Sequence, residues 1–441
     1  MSESERIATD KPKGRPRIYW GWYVVAAAFL TGFVASSAAS FTFSVIVVPM
    51  SEGMGWTRTQ LFLAITIAGW SAGVTAPVFG RLVDKYGARY IMTSGALLLG
   101  LFLLLTSQVR TLWEYYLVFG VGIGLSRPLV QSVGGPAAVV NWFIRKRNRV
   151  LPIISFATPA SVVMTLPVAF LAENYGWRWS WVLLALTTWT LAVIPAWLFI
   201  RRRPEDMGLL PDGDSPQEVP AGSRVGSARP ASSQDPVWRL SQVMRTRTFW
   251  LITAMINLTG VPGGTIILHM GAFFRDKGFT PAEAASGVFL YGVGAGLGRL
   301  FWGVVGEWFN VKQCLAMRAF AYAVVILVFL AAPGVLASYA AVLALGITVG
   351  GGQQLDNQVW ADYYGRGIAG TILGVESLFG AFFRAGGPLF AAWMFDTFRT
   401  YNTAFSLFSG LCVLAGFCML FANKPIPPDE AASALRANKA S

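Results

Sequence analysis

Charged side chains set inside long apolar runs are the residues of this chain best placed to do chemistry. Arg127, Arg299 and Arg384 stand well within such runs, as does Glu376, and Asp356 stands near the end of one. Ionised groups in hydrocarbon are costly, so they line a wet cavity or pair with one another. Three guanidinium groups against two carboxylates leave a positive surplus. The chemistry this suggests is reversible capture of an anion, since arginine can hold a carboxylate through two parallel hydrogen bonds. Arg318 lies close to the start of its run, where its stem can carry the charge to the interface, and it is set aside on that ground. Three residues are suited to moving a proton. Glu376 could exchange one as an anion competes for a neighbouring arginine. His269, the one histidine, belongs to a side-chain type that titrates near neutral pH when unperturbed. With Asp276 it closes the seventh apolar run, and a purely hydrogen-bonded structural role for it is an equal alternative.

The elements that must position these groups are helices in a membrane. The chain has 441 residues, 54% of them hydrophobic and only 13% charged, with a mean hydropathy of +0.53. Spanning the hydrocarbon core takes roughly 20 apolar residues per helix. Twelve stretches qualify, near 20–47, 59–79, 90–108, 113–141, 150–172, 179–200, 249–274, 282–305, 313–332, 335–360, 367–395 and 401–422. The net charge of +13 suggests nucleic acid until its placement is read. With the N-terminus inside, 25 of the 35 Lys and Arg residues fall on the cytoplasmic side and 6 on the other. That excess orients a multi-pass protein of a bacterial-type inner (plasma) membrane with both termini cytoplasmic, and no nucleic-acid partner is expected. Residues 1–19 are polar and the first stretch is too long for a cleaved leader, so no signal peptide is expected. One histidine and three scattered cysteines exclude a histidine-based metal cluster and a disulfide framework. No metal or cofactor is expected.

Punctuation repeats at a constant offset of 223 residues, so that Gly55-Trp56-Thr57 returns as Gly278-Phe279-Thr280. Likewise Gly80, Asp84, Gly87 and Arg89 return as Gly303, Glu307, Asn310 and Lys312. Thr57-x-x-Gln60 and Thr280-Pro281-Ala282-Glu283 read as capping boxes that open predicted helices 2 and 8. A repeat of half the chain predicts an all-α integral membrane protein, with twelve transmembrane helices in two pseudo-symmetric six-helix bundles. The predicted organisation is a cytoplasmic tail at 1–19, a first bundle at 20–201, a flexible cytoplasmic linker at 202–246, a second bundle at 247–422 and a cytoplasmic tail at 423–441. Parallel repeats of this kind build transporters with a site between the halves.

The segment from Gly80 to Arg89 resembles the G-x-L-x-D-x-x-G-x-R loop of the major facilitator superfamily. Tyr19-Trp20-Gly21-Trp22, Ser40-Phe41, Pro49-Met50 and Gly55-Trp56-Thr57-Arg58 resemble its monocarboxylate and oxalate–formate branch. Gly176-Trp177-Arg178, Arg203 to Gly213, Asp396, Tyr401 and Ala404-Phe405 fit the same branch. The resemblance implies a major facilitator fold, gating by Gly80, Asp84, Arg89, Glu307 and Lys312, and a substrate-binding arginine at Arg299. An internal ion pair of Arg299 with Glu376 is the competing reading. Arg127, between Ser126 and Pro128, departs from the branch's usual neutral residue. It could give a second carboxylate contact or neutralise Glu376 or Asp356. Ala295 stands where animal members carry an aspartate, so their proton relay does not transfer.

The function expected is secondary transport of small organic anions, mono- or short dicarboxylates, by alternating access. Protons or a counter-anion would be coupled, and the working unit in the lipid bilayer would be a monomer. Substrate contacts are expected from Arg299, Arg127, Arg384, Gln354 and Tyr291, and proton coupling from Glu376, His269 and Asp276. Phe41, Phe43, Tyr291, Phe379 and Phe383 could form aromatic walls. The runner-up is an efflux pump for amphipathic or aromatic compounds on the same scaffold. An intramembrane enzyme is disfavoured because no nucleophile elbow accompanies His269.

Overall fold

Apolar runs of this length satisfy their own backbone in hydrocarbon only by forming helices, and twelve helical rods form among the described residues. The computed structural model describes residues 19–130, 139, 142–143, 146–201, 203–213, 238–425 and 427, with the backbone alone at 39, 40, 76, 77, 80, 83, 84, 147, 148, 366 and 367. Rod α1 joins Trp20–Ser36, a π-helical turn Ser37–Phe41 and Phe43–Met54. Rod α2 spans Arg58–Tyr86 and α3 spans Ala88–Thr106. Rod α4 runs through Leu112–Tyr115, Tyr116–Ile123 and Gly124–Val130. Rod α5 passes from Arg147–Ser155 through Ala157–Ala160 and Ser161–Met164 to Thr165–Asn174. Rod α6 comprises Trp177–Thr188, Trp189–Val193 and Ile194–Phe199.

The second six are α7 (Arg247–Asp276), α8 (Pro281–Trp308), α9 (Val311–Ala331), α10 (Gly334–Gly350 and Gly352–Tyr364), α11 (Arg366–Phe398) and α12 (Asn402–Phe421). Among the described residues, nine helices are long and apolar enough to cross a membrane. The rods fall on the twelve predicted stretches, with differences at their ends, and residues 131–138, 140 and 141 of the stretch 113–141 lie outside the described residues. Rod α2 continues past the predicted residue 79 to Tyr86, and Gly87 at φ 85° stops it. Its repeat equivalent, Asn310, sits at φ −71° and caps α9 through Gln313, so that position needs no glycine. This is the physical reason the second copy of the loop departs from the first.

Both expected capping boxes form. In the first, Thr57 N–H donates to Gln60 Oε1 at 2.9 Å and Gln60 N–H to Thr57 Oγ1 at 3.2 Å. In the second, Thr280 and Glu283 bond reciprocally at 2.8 and 3.3 Å. A third, Thr111 with Glu114, opens α4. There Glu114 Oε2 accepts from the backbone N–H groups of Arg110 and Thr111 at 2.7 and 3.2 Å.

Packing between the first and last six helices follows the repeat. Rod α2 packs on α11, and its equivalent α8 packs on α5, while α1 meets α7. Rod α1 begins and rod α12 stops at one end of the bundle. There Tyr19 OH donates to Leu210 O at 3.0 Å, and Thr248 Oγ1 donates to Asn423 O at 2.7 Å. The stretch 203–213 was expected to belong to a flexible linker, yet it is folded against the first six helices. Asp212 Oδ1 accepts from Lys146 N–H at 3.1 Å, and Lys146 Nζ donates to Asp212 O at 2.9 Å. These bonds give that backbone partners which composition alone does not reveal. The tail before Tyr19, residues 214–237 of the linker and most of 423–441 lie outside the described residues.

Candidate anion-binding chamber

A chamber of about 670 Å³ opens between the two sets of helices. Its charged lining is Arg299 of α8, Arg318 of α9, Asp356 of α10, and Glu376 and Arg384 of α11. Asp356 lies eight residues before the end of α10, which places it about 12 Å from the terminus-bearing end of that helix.

Positions 376, 380 and 384 are spaced four apart along one flank of α11. Gly380 leaves room for the Arg384 side chain to lie back along the helix, and Gly260 of α7 leaves room from the other side. In that groove Arg384 donates to Glu376 at 3.1 Å. Asn257 Nδ2 approaches the same Glu376 oxygen at 3.5 Å. Arg384 is about one-third exposed, whereas the Glu376 side chain is 8% exposed, so the cation faces the cavity and the carboxylate stands behind it.

Arg318 corrects the reading that set it aside. It is buried, seven residues past the first residue of α9 and so about 10 Å deep. Its guanidinium pairs with Asp356 at 3.1 Å, in space that Gly352 leaves by lacking a side chain. Its Nε has no hydrogen-bond partner among the described residues. The signal was present in the sequence: a second intramembrane charge, Asp356, with a Gly-rich bend just before it. Arg299, by contrast, donates to the backbone carbonyl of Ser155 on α5, and no carboxylate among the described residues pairs with it. The carboxylate suggested for Arg299, Glu376, is held by Arg384.

Among the other expected contacts, Tyr291 lines the chamber and lies across from Phe41, their ring centroids 6.4 Å apart. Gln353 lines it, whereas Gln354 is exposed on another face of α10. Phe43 is instead core, packed edge-on against Phe62, and Phe383 is 63% exposed. Phe379 packs edge-on against Trp250. Arg127 lines a second cavity of about 310 Å³ between α2, α4, α7 and α11, whose wall it shares with Arg384.

At the end of the bundle away from the termini, the two sets of helices are closed on each other. Arg58 of α2 donates to both oxygens of Asp276 of α7 at 2.6 and 2.7 Å, and to Tyr401 OH at 2.9 Å. Its guanidinium also lies 3.8 Å from the Phe395 ring centroid. Thr59 bonds Asp396 of α11 through N–H at 2.8 Å and Oγ1 at 2.5 Å. His269 is fully buried just beneath, stacked on Phe62 at 3.8 Å. Its Nε2 lies 2.9 Å from Pro388 O and its Nδ1 2.9 Å from Tyr401 OH. Since a carbonyl only accepts, Nε2 carries a proton there. Both ring nitrogens are therefore engaged, and His269 is outside the chamber lining.

The expected gating residues sit at the opposite end. Arg89 donates to Trp197 O at 2.9 Å and covers the Trp197 ring, and Lys312 bonds Asn423 at 2.9 Å. Each of these contacts stays within its own set of six helices. Glu307 is exposed, and the Gly80 and Asp84 side chains lie outside those described. No cluster of three or more His, Cys, Asp or Glu suited to a metal occurs among the described residues.

Two sets of six helices enclosing a charged central chamber are the architecture of a membrane transporter. The family model described as the Major Facilitator Superfamily matches residues 28–388, and the chain belongs to that family. It is 26% identical over 313 residues to Monocarboxylate transporter 2 of Rattus norvegicus, covering 64% of this chain and 58% of that one. It is 25% identical over 317 residues to Monocarboxylate transporter 11 of Mus musculus, covering 70% and 65%. A shorter match, 30% over 178 residues, is to Monocarboxylate transporter 1 of Rattus norvegicus, covering 37% and 33%. The chain thus spans between one third and two thirds of the length of these curated relatives, which are named as transporters and not as enzymes. The crystal structure of a D-xylose-proton symporter superposes with a TM-score of 0.67 at 13% identity, covering 92% of this chain and 99% of that one. That likeness concerns the fold.

Proposed function

We propose that this protein is a secondary transporter of small carboxylate anions, carried by alternating access and coupled to protons or to a counter-anion. The observation that carries the reading is Arg299, a chamber-lining guanidinium bonded to a backbone carbonyl and to no described carboxylate. A cargo carboxylate can take its free N–H groups without first breaking an ion pair. Arg384 is the second contact, offered from the Gly260–Gly380 groove, with Tyr291 as a chamber wall and Arg127 reaching in from the side cavity. Gln353 takes the part expected of Gln354.

Glu376 is the proton-coupling group in this scheme. When a cargo carboxylate draws on Arg384, Glu376 loses part of its counter-charge and takes up a proton; the proton leaves when the pair re-forms. His269 and Asp276 belong to the closed outer contact with Arg58 and Tyr401, and they act on opening rather than on cargo. Arg89, Glu307 and Lys312, with Gly80 and Asp84, belong to the latch of the opposite end, which closes as the outer contact parts. Both termini face the cytoplasm of a bacterial-type plasma membrane, supported by the excess of Lys and Arg on that side. The unit at work is the monomer, its bundles 20–201 and 247–422 rocking about the chamber.

The test is transport by purified protein in proteoliposomes carrying a lumenal pH dye, with acetate, lactate, butyrate, oxalate and succinate imposed one at a time as gradients. We expect protein-dependent flux of at least one carboxylate, inhibited by others of the series. Flux of aromatic cations that no carboxylate inhibits would instead establish an efflux pump.

A further inference from the structure

Arg384 lines both cavities, and Gly264 of α7 lies on the wall between them, also lining both. A Cβ built at Gly264 meets nothing within 4 Å, so the missing side chain leaves open space at the junction. The side cavity is bounded largely by small and apolar residues, with Ile65, Phe119 and Ile123 among them. Its described polar side chains are Arg127 and Arg384, and none of its described lining residues is acidic. Arg127 comes from α4 and Arg384 from α11, so a group held by both touches both sets of helices. Across the two cavities the described lining holds Arg127, Arg299, Arg318 and Arg384 against Asp356 and Glu376, an excess of two positive charges.

We infer that the side cavity is a second carboxylate subsite and that the preferred cargo is a short dicarboxylate. One carboxylate sits at Arg299 in the chamber, and the other passes Gly264 to lie between Arg127 and Arg384. A carboxylate between two guanidinium groups in an apolar pocket gains charge-assisted hydrogen bonds that a methyl group in the same place cannot make. The second carboxylate is therefore a specificity determinant. It also joins the two moving parts, because closing on the dianion engages Arg127 from one and Arg384 from the other. The inference rests on the carboxylate-transport reading above.

Succinate and butyrate have four carbons each and differ in the second carboxylate, so their relative uptake into proteoliposomes tests the subsite. The parent protein is expected to take up succinate at least tenfold faster than butyrate at equal low concentration. Arg127→Gln should bring that ratio to near one. Gly264→Val, which places a side chain in the open space beside the Gly264 Cα, should lower it at least tenfold in protein that remains monodisperse. A parent ratio at or below one, or a ratio unchanged in both variants, overturns the subsite. Butyrate uptake without succinate uptake sinks this inference alone, and absence of uptake for every carboxylate sinks the transport reading with it.

Discussion

Arg384 and Glu376 show how little of a charged pair's behaviour resides in the charges themselves. Their 3.1 Å contact exists because Gly380 and Gly260 vacate the groove in which the arginine lies. Gly380→Ala should therefore displace the guanidinium and, through lost cargo contact, lower carboxylate flux by about tenfold, the equivalent of about 1.4 kcal/mol. Flux equal to the parent's would show that the groove is not needed. Glu376→Gln keeps the shape and removes the carboxyl proposed to carry the proton. Carboxylate exchange should persist at a measurable rate while stimulation by an imposed pH gradient is lost; retained stimulation would move coupling elsewhere. The charges themselves were legible in the sequence, since ions inside apolar runs are conspicuous. Their pairing was not. Arg299 stands beside Ser155 rather than Glu376 because α8 packs on α5, a contact between residues 144 apart that periodicity does not encode. Arg318 was misread because distance from a helix end was judged before the end was known.

At the scale of elements, α8 and α10 pack backbone against backbone, and glycine is the cause. A Cβ at Gly294 would meet the Leu343 carbonyl, one at Gly298 that of Ile347, one at Gly346 that of Tyr291, and one at Gly350 that of Ala295. Backbones this near exclude any side chain, and the glycine spacing made close packing of both helices legible beforehand. The partner of each glycine was not legible, since it lies on the other helix, far away in sequence. Gly346→Ala should destabilise by roughly 1–3 kcal/mol, as overpacking does, and should shift Tyr291 and the chamber wall. Thermal unfolding in detergent measures this, and an unchanged midpoint would mean the interface relaxes freely. Helix starts were the most legible features, because a capping box is a local arrangement. Residues 203–213 were the least legible, because Asp212 finds its partner 66 residues away at Lys146.

For the whole molecule, the 223-residue repeat announced paired halves, and the packing of α2 on α11 and α8 on α5 follows that symmetry. What the repeat does not encode is asymmetry along the membrane normal. The Arg58–Asp276–Tyr401 contact closes one end, while Arg89 and Lys312 at the other end bond within their own sets of helices. Such a cross-contact is invisible locally, because Arg58 and Asp276 lie 218 residues apart. Asp276→Asn weakens charge-assisted bonds worth about 1.5–3 kcal/mol each and should shift the protein toward opening at that end. A cysteine replacing Ser44, which is buried where α1 packs on Gly271 of α7, should then react at least about tenfold faster with an impermeant maleimide. Equal labelling would show that other contacts hold that end shut. The claim on which transport itself rests is that Arg299 meets the cargo carboxylate. Uptake of radiolabelled carboxylate into proteoliposomes by Arg299→Ala, set against the parent at equal protein density, tests it most directly. We predict a loss of about a hundredfold, as two charge-assisted hydrogen bonds imply; uptake matching the parent's would contradict the account.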